Sequence, residues 1–441
     1  MWFFSDFRGG GEIFISKNRL DMAKNILLFN TVQEYEQKRN NDYVEPWVSY
    51  TKENGEVNLN KSEEEKLLAT PLTFEITGAG DIYWRDSNTI EYSKNGGEWT
   101  TCPGGTTIPV VSGDVVQFRG DNQAYLDWVG FTACTCGFKL SGNIMSLVNS
   151  TGFSGETTLV SVETFPEFFE ECTGLTDASK LLLPATALSE NCYEMMFFNC
   201  TNLTTAPELP ATTLAYSCYN DMFNGCTSLT TAPELPATTL ASHCYNGMFQ
   251  GCTSLTTVPE LPATTLTESC YQNMFSGCTS LTTVPELPAT TLTNYCYSSM
   301  FKGCTSLVNA PELPATTLAG SCYYGMFNGC TSLINVPELP ATTLANSCYG
   351  NMFSGCTSLT TAPELPAATL VISCYSGMFS GCTNLNYIKC LATDISAYNC
   401  TKYWVSGVAS LGTFVKSPNI TESTWGRSAN GIPSNWTVED A

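Results

Sequence analysis

The sequence predicts a solenoid of stacked 26-residue coils behind a small all-β domain. Cysteines recur every 26 residues in two parallel series, and short strand-like runs separated by turn signals occupy residues 71–140. A fixed period of this length is typical of repeat proteins whose coils stack and bury a shared core. The first series is Cys200, Cys226, Cys252, Cys278, Cys304, Cys330, Cys356 and Cys382, and the second is Cys192, Cys218, Cys244, Cys270, Cys296, Cys322, Cys348 and Cys374.

Each coil carries the unit C-T-S-L-T-T-(A/V)-P-E-L-P-A-T-T-L-x-x-x-C-Y-x-x-M-F-x-G. In the coil 252–277 the apolar positions follow neither a sustained helical period nor a strand alternation. Residues 256–261 are the best candidate for a short strand, which Pro259 limits because proline cannot donate to a ladder. Residues 271–275 predict one helical or 3₁₀ turn. Stacked coils are expected to repeat at about 4.8 Å, the spacing between strands.

The unit resembles the BspA-like leucine-rich repeats found in gut bacteria and in their phages. The resemblance covers about residues 165–390 and implies a leucine-rich-repeat solenoid with a role at an exposed surface, most commonly as an adhesin. This unit is longer than the family's usual one by about three residues, so a slightly wider coil is expected. The matching positions are Leu255, Val258, Pro262, Leu266, Met274, Phe275, Gly277 and Cys278.

Five segments are predicted along the chain. Residues 1–21 are a possible untranslated leader without a fold, because Met22 looks more like a natural start of translation than Met1 does. Residues 22–70 are a short leader module, with a small helix at 32–39, a hairpin of 47–50 with 56–59 and a charged linker at 61–68. Residues 71–148 form a β-sandwich, residues 149–392 the solenoid, and residues 393–441 a C-terminal cap that contains Trp404, Trp425 and Trp436.

The β-sandwich is predicted from six strands separated by turns such as Asn95-Gly96-Gly97. Its aromatic residues Trp84, Tyr92, Trp99 and Phe118 are interpreted as core and not as a platform for sugars. The strands are placed at 72–76, 82–84, 90–93, 99–101, 115–119 and 133–140.

The charge balance limits the partners of this chain. Its formal net charge is −22, from 41 acidic and 19 basic residues. Nucleic acids and anionic membranes both require a basic footprint, so neither is an expected partner. No apolar run reaches the length of a membrane span, and no secretion signal is recognisable at the N-terminus. A protein or glycan on a cell surface is the expected partner, with a possible homo-oligomer through the N-terminal region.

The regular spacing of the 22 cysteines favours buried, reduced thiols over disulfides or metal sites. A small apolar core residue repeated once per coil produces the same pattern. A disulfide such as Cys244–Cys252 stays geometrically conceivable. Zinc is disfavoured, because His243 is the only histidine and no C-x-x-C pair exists.

A glutamate also recurs once per coil and predicts a column of carboxylates about 5 Å apart. Either these carboxylates attract cations such as calcium, or each lies in a solvated turn, which is the favoured interpretation because calcium needs several converging oxygens. No metal site and no cofactor are therefore predicted. The weak metal candidates are Glu234, Glu260, Glu286, Glu312 and Glu338, and Glu208 and Glu364 hold equivalent places.

A tyrosine column and the variable x positions are the candidates for ligand binding. Exposed tyrosines suit carbohydrate or protein recognition, although stacking along the solenoid is the more common role of such a column. Variable positions in loops are where specificity is expected. The candidates are Tyr219, Tyr245, Tyr271, Tyr297, Tyr323 and Tyr349 together with Asn246, Gln272 and Asn273.

Catalysis has no support in the sequence. One histidine provides no repeated nucleophile–base pair, and no G-x-S-x-G motif or P-loop occurs. The sequence therefore predicts a non-catalytic binding or structural protein on a virion or extracellular surface. A phage fibre or adhesin-like component is slightly favoured, a bacterial cell-surface adhesin is the alternative, and a glycan-active enzyme is a distant third.

Overall fold

The computed structural model describes residues 63–441 except 124, 126–129, 133 and 160, together with the backbone of four short strands before residue 60. The chain divides into two compact units, residues 1–70 and residues 71–441. The predicted helix at 32–39 lies outside the described residues. In the first unit β1 (Ile15–Ser16) pairs with β2 (Trp47–Val48). The prediction that residues 1–21 have no fold is therefore wrong at β1.

The other described elements of the first unit are a hairpin and a short helix. Strands β3 (Tyr50–Glu53) and β4 (Glu56–Leu59) pair with Glu53 opposite Glu56, so the predicted hairpin is present, but its first strand is 50–53 and not 47–50. The predicted charged linker contains helix α1 (Glu63–Leu68), whose first turn holds three glutamates. The helix dipole places partial positive charge at the N-terminus of a helix, and acidic side chains there stabilise the helix. This attraction explains why this charged segment is helical.

The second unit begins with a mostly antiparallel sheet of six strands. Across the sheet the strands are, in order, β12 (Leu175–Leu182), β11 (Gly137–Asn143), β5 (Leu72–Gly78), β10 (Val115–Arg119), β7 (Ile90–Lys94) and β8 (Thr100–Cys102). Its only parallel neighbours are β11 and β12. Strand β5 buries Leu72, Phe74 and Ile76 on one face by simple alternation.

A separate antiparallel ribbon of β6 (Gly80–Trp84) and β9 (Thr106–Val110) completes this domain. The sequence did not predict β9, because Pro109 weakens its strand pattern. The sandwich interpretation stays a prediction. The core roles of Trp84 and Phe118 are confirmed, since both are fully buried, whereas Trp99 is half-buried under the guanidinium of Arg119.

The six-stranded sheet continues directly into the solenoid, because β12 belongs to the first irregular coil. The 3₁₀ turns Ile144–Leu147 and Phe153–Gly155 lie between β11 and that coil. Phe131, from a loop of the β domain, stacks on Phe169 at 6.0 Å, and Phe169 stacks on Phe197 at 5.5 Å. The β domain therefore provides the first ring of an aromatic column that runs through the coils, and it covers one end of their core.

The coils are built from turns rather than from strands and helices. The predicted strand at 256–261 is wrong, because only an isolated parallel bridge joins Thr257 to Thr231. Pro259 and Pro262 remove two N–H donors from this stretch, so a continuous ladder cannot form. The stacked phenylalanine rings of neighbouring coils from Phe197 to Phe379 lie 5.4–5.9 Å apart, centroid to centroid.

The far end of the solenoid extends beyond residue 392. Strand β13 (Tyr387–Cys390) lies in a further 26-residue coil that ends at Gly407, and it pairs in parallel with β14 (Thr413–Lys416), which pairs with β15 (Thr437–Asp440). Helix α2 (Glu422–Trp425) lies between the last two strands. The three tryptophans of the segment predicted as cap pack at this end of the solenoid: Trp404 stacks on Tyr375 at 6.4 Å, Trp425 stacks on Trp404 at 5.5 Å, and Trp436 is buried.

Candidate recognition surface

The turn segment of each coil, residues 267–277 and their equivalents, has an alternating hydrogen-bond pattern. The N–H groups of Tyr271, Asn273 and Phe275 donate to carbonyls of the next coil at 2.9–3.1 Å. The N–H groups between them donate three residues back within the coil, as Met274 does to Tyr271 at 3.3 Å. This pattern requires a left-handed residue every fourth position, with φ of 54° at Ser269, 56° at Asn273 and 79° at Gly277.

The left-handed conformation explains which residue types occupy these positions. Glycine adopts it without steric cost, and asparagine and aspartate tolerate it better than other residues. The second left-handed position of successive coils holds Asp221, Gly247, Asn273, Ser299, Gly325, Asn351 and Gly377. Part of the variation at the x positions is therefore set by the left-handed backbone conformation. Only the rest of the variation is available for ligand recognition.

The tyrosine column lies inside the solenoid, so its predicted role in binding is wrong. Tyr219, Tyr245, Tyr271, Tyr297, Tyr323 and Tyr349 are each 1% exposed. Consecutive rings stack at 5.8–6.1 Å, for example Tyr271 on Tyr297 at 5.9 Å with planes 4° apart. The alternative interpretation, stacking along the solenoid, is correct, because each ring is buried between the rings of the neighbouring coils.

The prediction of buried, reduced thiols is confirmed. All 22 cysteines are buried and free, Cys244 and Cys252 among them. The first series has a further role that the sequence did not reveal: Cys278 Sγ donates to the carbonyl of Phe249, 29 residues earlier in the chain, at 3.1 Å. A thiol fits this place because it is small and apolar yet retains a weak donor. The same bond recurs at Cys226, Cys252, Cys304, Cys330, Cys356 and Cys382.

The structure places Asn246, Gln272 and Asn273 together on the outer side of the turn segments. All three are half-buried. The N–H of Gly247 donates to Gln272 at 2.8 Å, and the N–H of Asp221 donates to Asn246 at 2.8 Å, so their backbones are fixed by the neighbouring coils. We call this outer side, formed by the variable residues of the turn segments, the turn face.

The turn face carries exposed tyrosines that were missed in the sequence. They lie outside the tyrosine column, at positions where the other coils from 200 to 407 hold polar residues or glycine in every case but one, Ile372. The available signal was a tyrosine at a position that is otherwise mostly small or polar. They are Tyr216, Tyr295, Tyr324, Tyr398 and Tyr403, with exposed fractions of 48%, 43%, 40%, 74% and 57%.

The glutamate column lies on a different side of the coil and faces solvent at every step. The last of these residues, Glu364, forms an ion pair with Lys389 at 2.9 Å. Across the described residues, no group of three or more His, Cys, Asp or Glu side chains is arranged to hold a metal ion. The weak metal candidates are therefore exposed, but their carboxylates do not converge on one point. They are Glu234, Glu260, Glu286, Glu312 and Glu338.

A cleft of about 260 Å³ lies where the β domain meets the first coil. Two carboxylates line it, but both accept hydrogen bonds from neighbouring groups. Asp121 accepts from the N–H and Oγ of Ser150 at 2.8 and 3.1 Å, and Glu156 accepts from Asn149 Nδ2 at 3.0 Å. These bonds hold the loop in place, so the cleft resembles a structural junction more than an acid–base site.

Another carboxyl pair, Glu167 and Glu170, lies in the turn segment of the first coil. Burial and the neighbouring Glu167 carboxylate raise the pKa of Glu170 to about 7. Burial also raises the pKa of Glu167. Paired carboxyls with raised pKa values occur both in active sites and in structural clusters. This pair is the group on which a catalytic hypothesis would have to rest.

Comparison with known families identifies the repeat. The model described as "BspA type Leucine rich repeat region" matches in six copies, at residues 149–274, 220–322 and 320–422. The matched region thus extends into the segment predicted as cap, in agreement with the coil that ends at Gly407. No curated protein matches the chain. Within the described part of the chain, none of the helices combines the length and apolarity needed to span a bilayer.

Proposed function

Because this chain belongs to the BspA-type leucine-rich-repeat family, we propose that it is a non-catalytic binding protein displayed on a surface. Its solenoid binds a protein or glycan ligand, as in an adhesin. The observation that carries this proposal is the division of each coil: core residues repeat almost unchanged, while variation and exposed tyrosines concentrate on the turn face. Aromatic residues in a polar surrounding are enriched at recognition surfaces.

The setting we favour is a phage virion, in which the chain is a fibre or adhesin-like component. The 22 free and buried thiols support assembly in a reducing compartment, where disulfides do not persist. The alternative is a bacterial cell-surface adhesin. Neighbouring genes and antibody labelling distinguish the two: capsid genes and labelled virions support the first, whereas export genes and labelled envelopes support the second.

Binding is tested directly with the full chain, labelled at its amino terminus and incubated with candidate cells and with extracts of their surface proteins and glycans. We expect saturable binding that unlabelled protein displaces. Absence of saturable binding to every surface and extract would contradict the proposal. Light scattering on the same preparation tests the predicted homo-oligomer through the N-terminal region.

The non-enzymatic part of the proposal is tested by screening glycans and peptides for turnover. We expect none. The chain offers one informative variant, Glu170→Gln, because Glu170 is the carboxyl whose pKa lies near neutrality. Turnover that Glu170→Gln abolishes, while binding persists, would establish the glycan-active enzyme instead.

A further inference from the structure

The next coil holds the ring of the exposed Tyr324 both at its face and at its hydroxyl. Gly350 lies under the ring, and a Cβ added there would come within 2.9 Å of Tyr324 Cδ2. Asn351 Nδ2 donates to the phenol oxygen of Tyr324 at 2.7 Å. One face of the ring therefore rests on backbone, its edge is tied by a hydrogen bond, and 40% of the residue stays exposed.

The sequence shows that this arrangement depends on two positions 26 residues apart. Tyr324 and Gly350 occupy the same position in successive coils, so the glycine follows the tyrosine where the ring needs space. No other coil from 200 to 407 has glycine at this position. The equivalent residues are Asn220, Asn246, Gln272, Ser298, Ser376 and Lys402.

The surface around the ring is polar and nearly uncharged. The three turn segments at 293–303, 319–329 and 345–355 contain one charged residue, Lys302, in a chain whose net charge is −22. A second exposed ring, Tyr295, and the amide of Asn294 belong to the same segments, and Asn294 Oδ1 accepts from the N–H of Gly320 at 3.0 Å. Ring faces, amides and hydroxyls without carboxylates suit a neutral ligand that is both apolar and rich in hydrogen-bonding groups.

We propose that Tyr324 is the stacking platform of a binding site for a neutral carbohydrate on the turn face of coils 278–355. The C–H face of a sugar ring packs on the exposed aromatic face, and its hydroxyls bond to the surrounding amides and hydroxyls. Because Gly350 and Asn351 already fix the ring, little side-chain entropy is lost on binding. This inference rests on the proposed function and names the ligand class and the site.

The test applies the full chain to an array of neutral and acidic oligosaccharides, followed by titration of the best neutral one. We expect neutral oligosaccharides to bind and Tyr324→Ala to weaken binding at least about tenfold, as for an aromatic anchor. Asn351→Gly removes the bond to the phenol but keeps the left-handed backbone, since equivalent positions hold Gly247, Gly325 and Gly377. We expect it to weaken binding about threefold.

The matched control is Tyr398→Ala, which removes a tyrosine that is 74% exposed on another coil. It is expected to leave the affinity unchanged, and all variants are expected to melt like the unmodified chain. Equal losses for Tyr324→Ala and Tyr398→Ala, or no loss for either, would overturn the assigned site. Saturable binding to surface proteins without binding to any oligosaccharide would overturn the ligand class yet leave the proposed function standing. Absence of binding to both would contradict the proposed function itself.

Discussion

The two sides of one coil are joined to the next coil very differently. In the coil 252–277 the turn segment donates five N–H bonds to the following coil, from Ser269, Tyr271, Asn273, Phe275 and Gly277. The opposite side, residues 256–265, is called here the threonine segment. There the N–H of Thr256 bonds to Thr230 at 3.0 Å, and an isolated bridge joins Thr257 to Thr231.

This difference shows where the solenoid obtains its cohesion. The left-handed residues of the turn segment direct alternate N–H groups along the stack, while the prolines of the threonine segment have no N–H to offer. The stacked Tyr and Phe columns lie on the turn side as well. We therefore expect damage to the turn segment to unfold the solenoid and damage to the threonine segment to be tolerated.

Alkaline pH is expected to have the largest effect, because it acts on the buried columns all at once. Burial raises the pKa of Cys252 and Cys218 to about 12, from an ordinary value of 9.0. Above pH 9 the unfolded chain loses these protons while the folded chain keeps them. The free energy of unfolding therefore falls as pH rises, by about 1.4 kcal/mol per thiol and pH unit. Circular dichroism in reductant should show cooperative unfolding between about pH 9 and 11.

The control for this experiment is reductant at neutral pH. Since the thiols are free, the melting temperature should be the same with and without strong reductant. A large fall in reductant would mean that disulfides hold the coils. A chain that stays folded at about pH 11 would contradict the burial of the thiol columns.

The next largest effect is expected for Phe301→Ala. The ring of Phe301 is fully buried and stacks on Phe275 and Phe327, both at 5.8 Å. The lost burial and the remaining cavity should cost roughly 3–5 kcal/mol and divide the melting transition, because coupling passes only between neighbouring coils. Lys302→Ala, at the exposed adjacent position, should cost about 0.5 kcal/mol or less. Comparable denaturation curves for the two variants would contradict the packing of the phenylalanine column.

The smallest effect is expected when single substitutions in the turn segment and in the threonine segment are compared. Gly277 has a φ of 79°, and a Cβ there would meet only ordinary contacts, the nearest at 3.6 Å. Gly277→Ala should therefore cost about 1–2 kcal/mol through backbone conformation alone. Thr264→Ala, exposed on the threonine segment, should change stability by about 0.5 kcal/mol or less. If Thr264→Ala were the more damaging of the two, the cohesion assigned to the turn segment would be wrong.

The sequence by itself determined the period and the apolar members of the buried columns. Cys, Leu, Met and Phe recur at fixed places in each coil, and an apolar residue that repeats without variation along a stack packs in the shared core. For this reason burial at Phe301 or Cys278 is readable from the spacing alone. The six predicted strands of the β domain rest on local sequence alternation in the same way. Strand β9 was not predicted, because Pro109 interrupts its alternation.

Only the tertiary structure decided the form of the coil and the position of the surface. The turn ladder depends on positive φ angles at residues such as Ser269 and Asn273, which hydrophobic patterns do not report. The repeat pattern is equally compatible with a tyrosine column that faces solvent and with one in the core, and the structure buries it. Tyr324 and Gly350 are 26 residues apart in the chain, and stacking of the coils brings the ring over the glycine. A contact of this kind forms only when the coils stack, so no local sequence pattern predicts it.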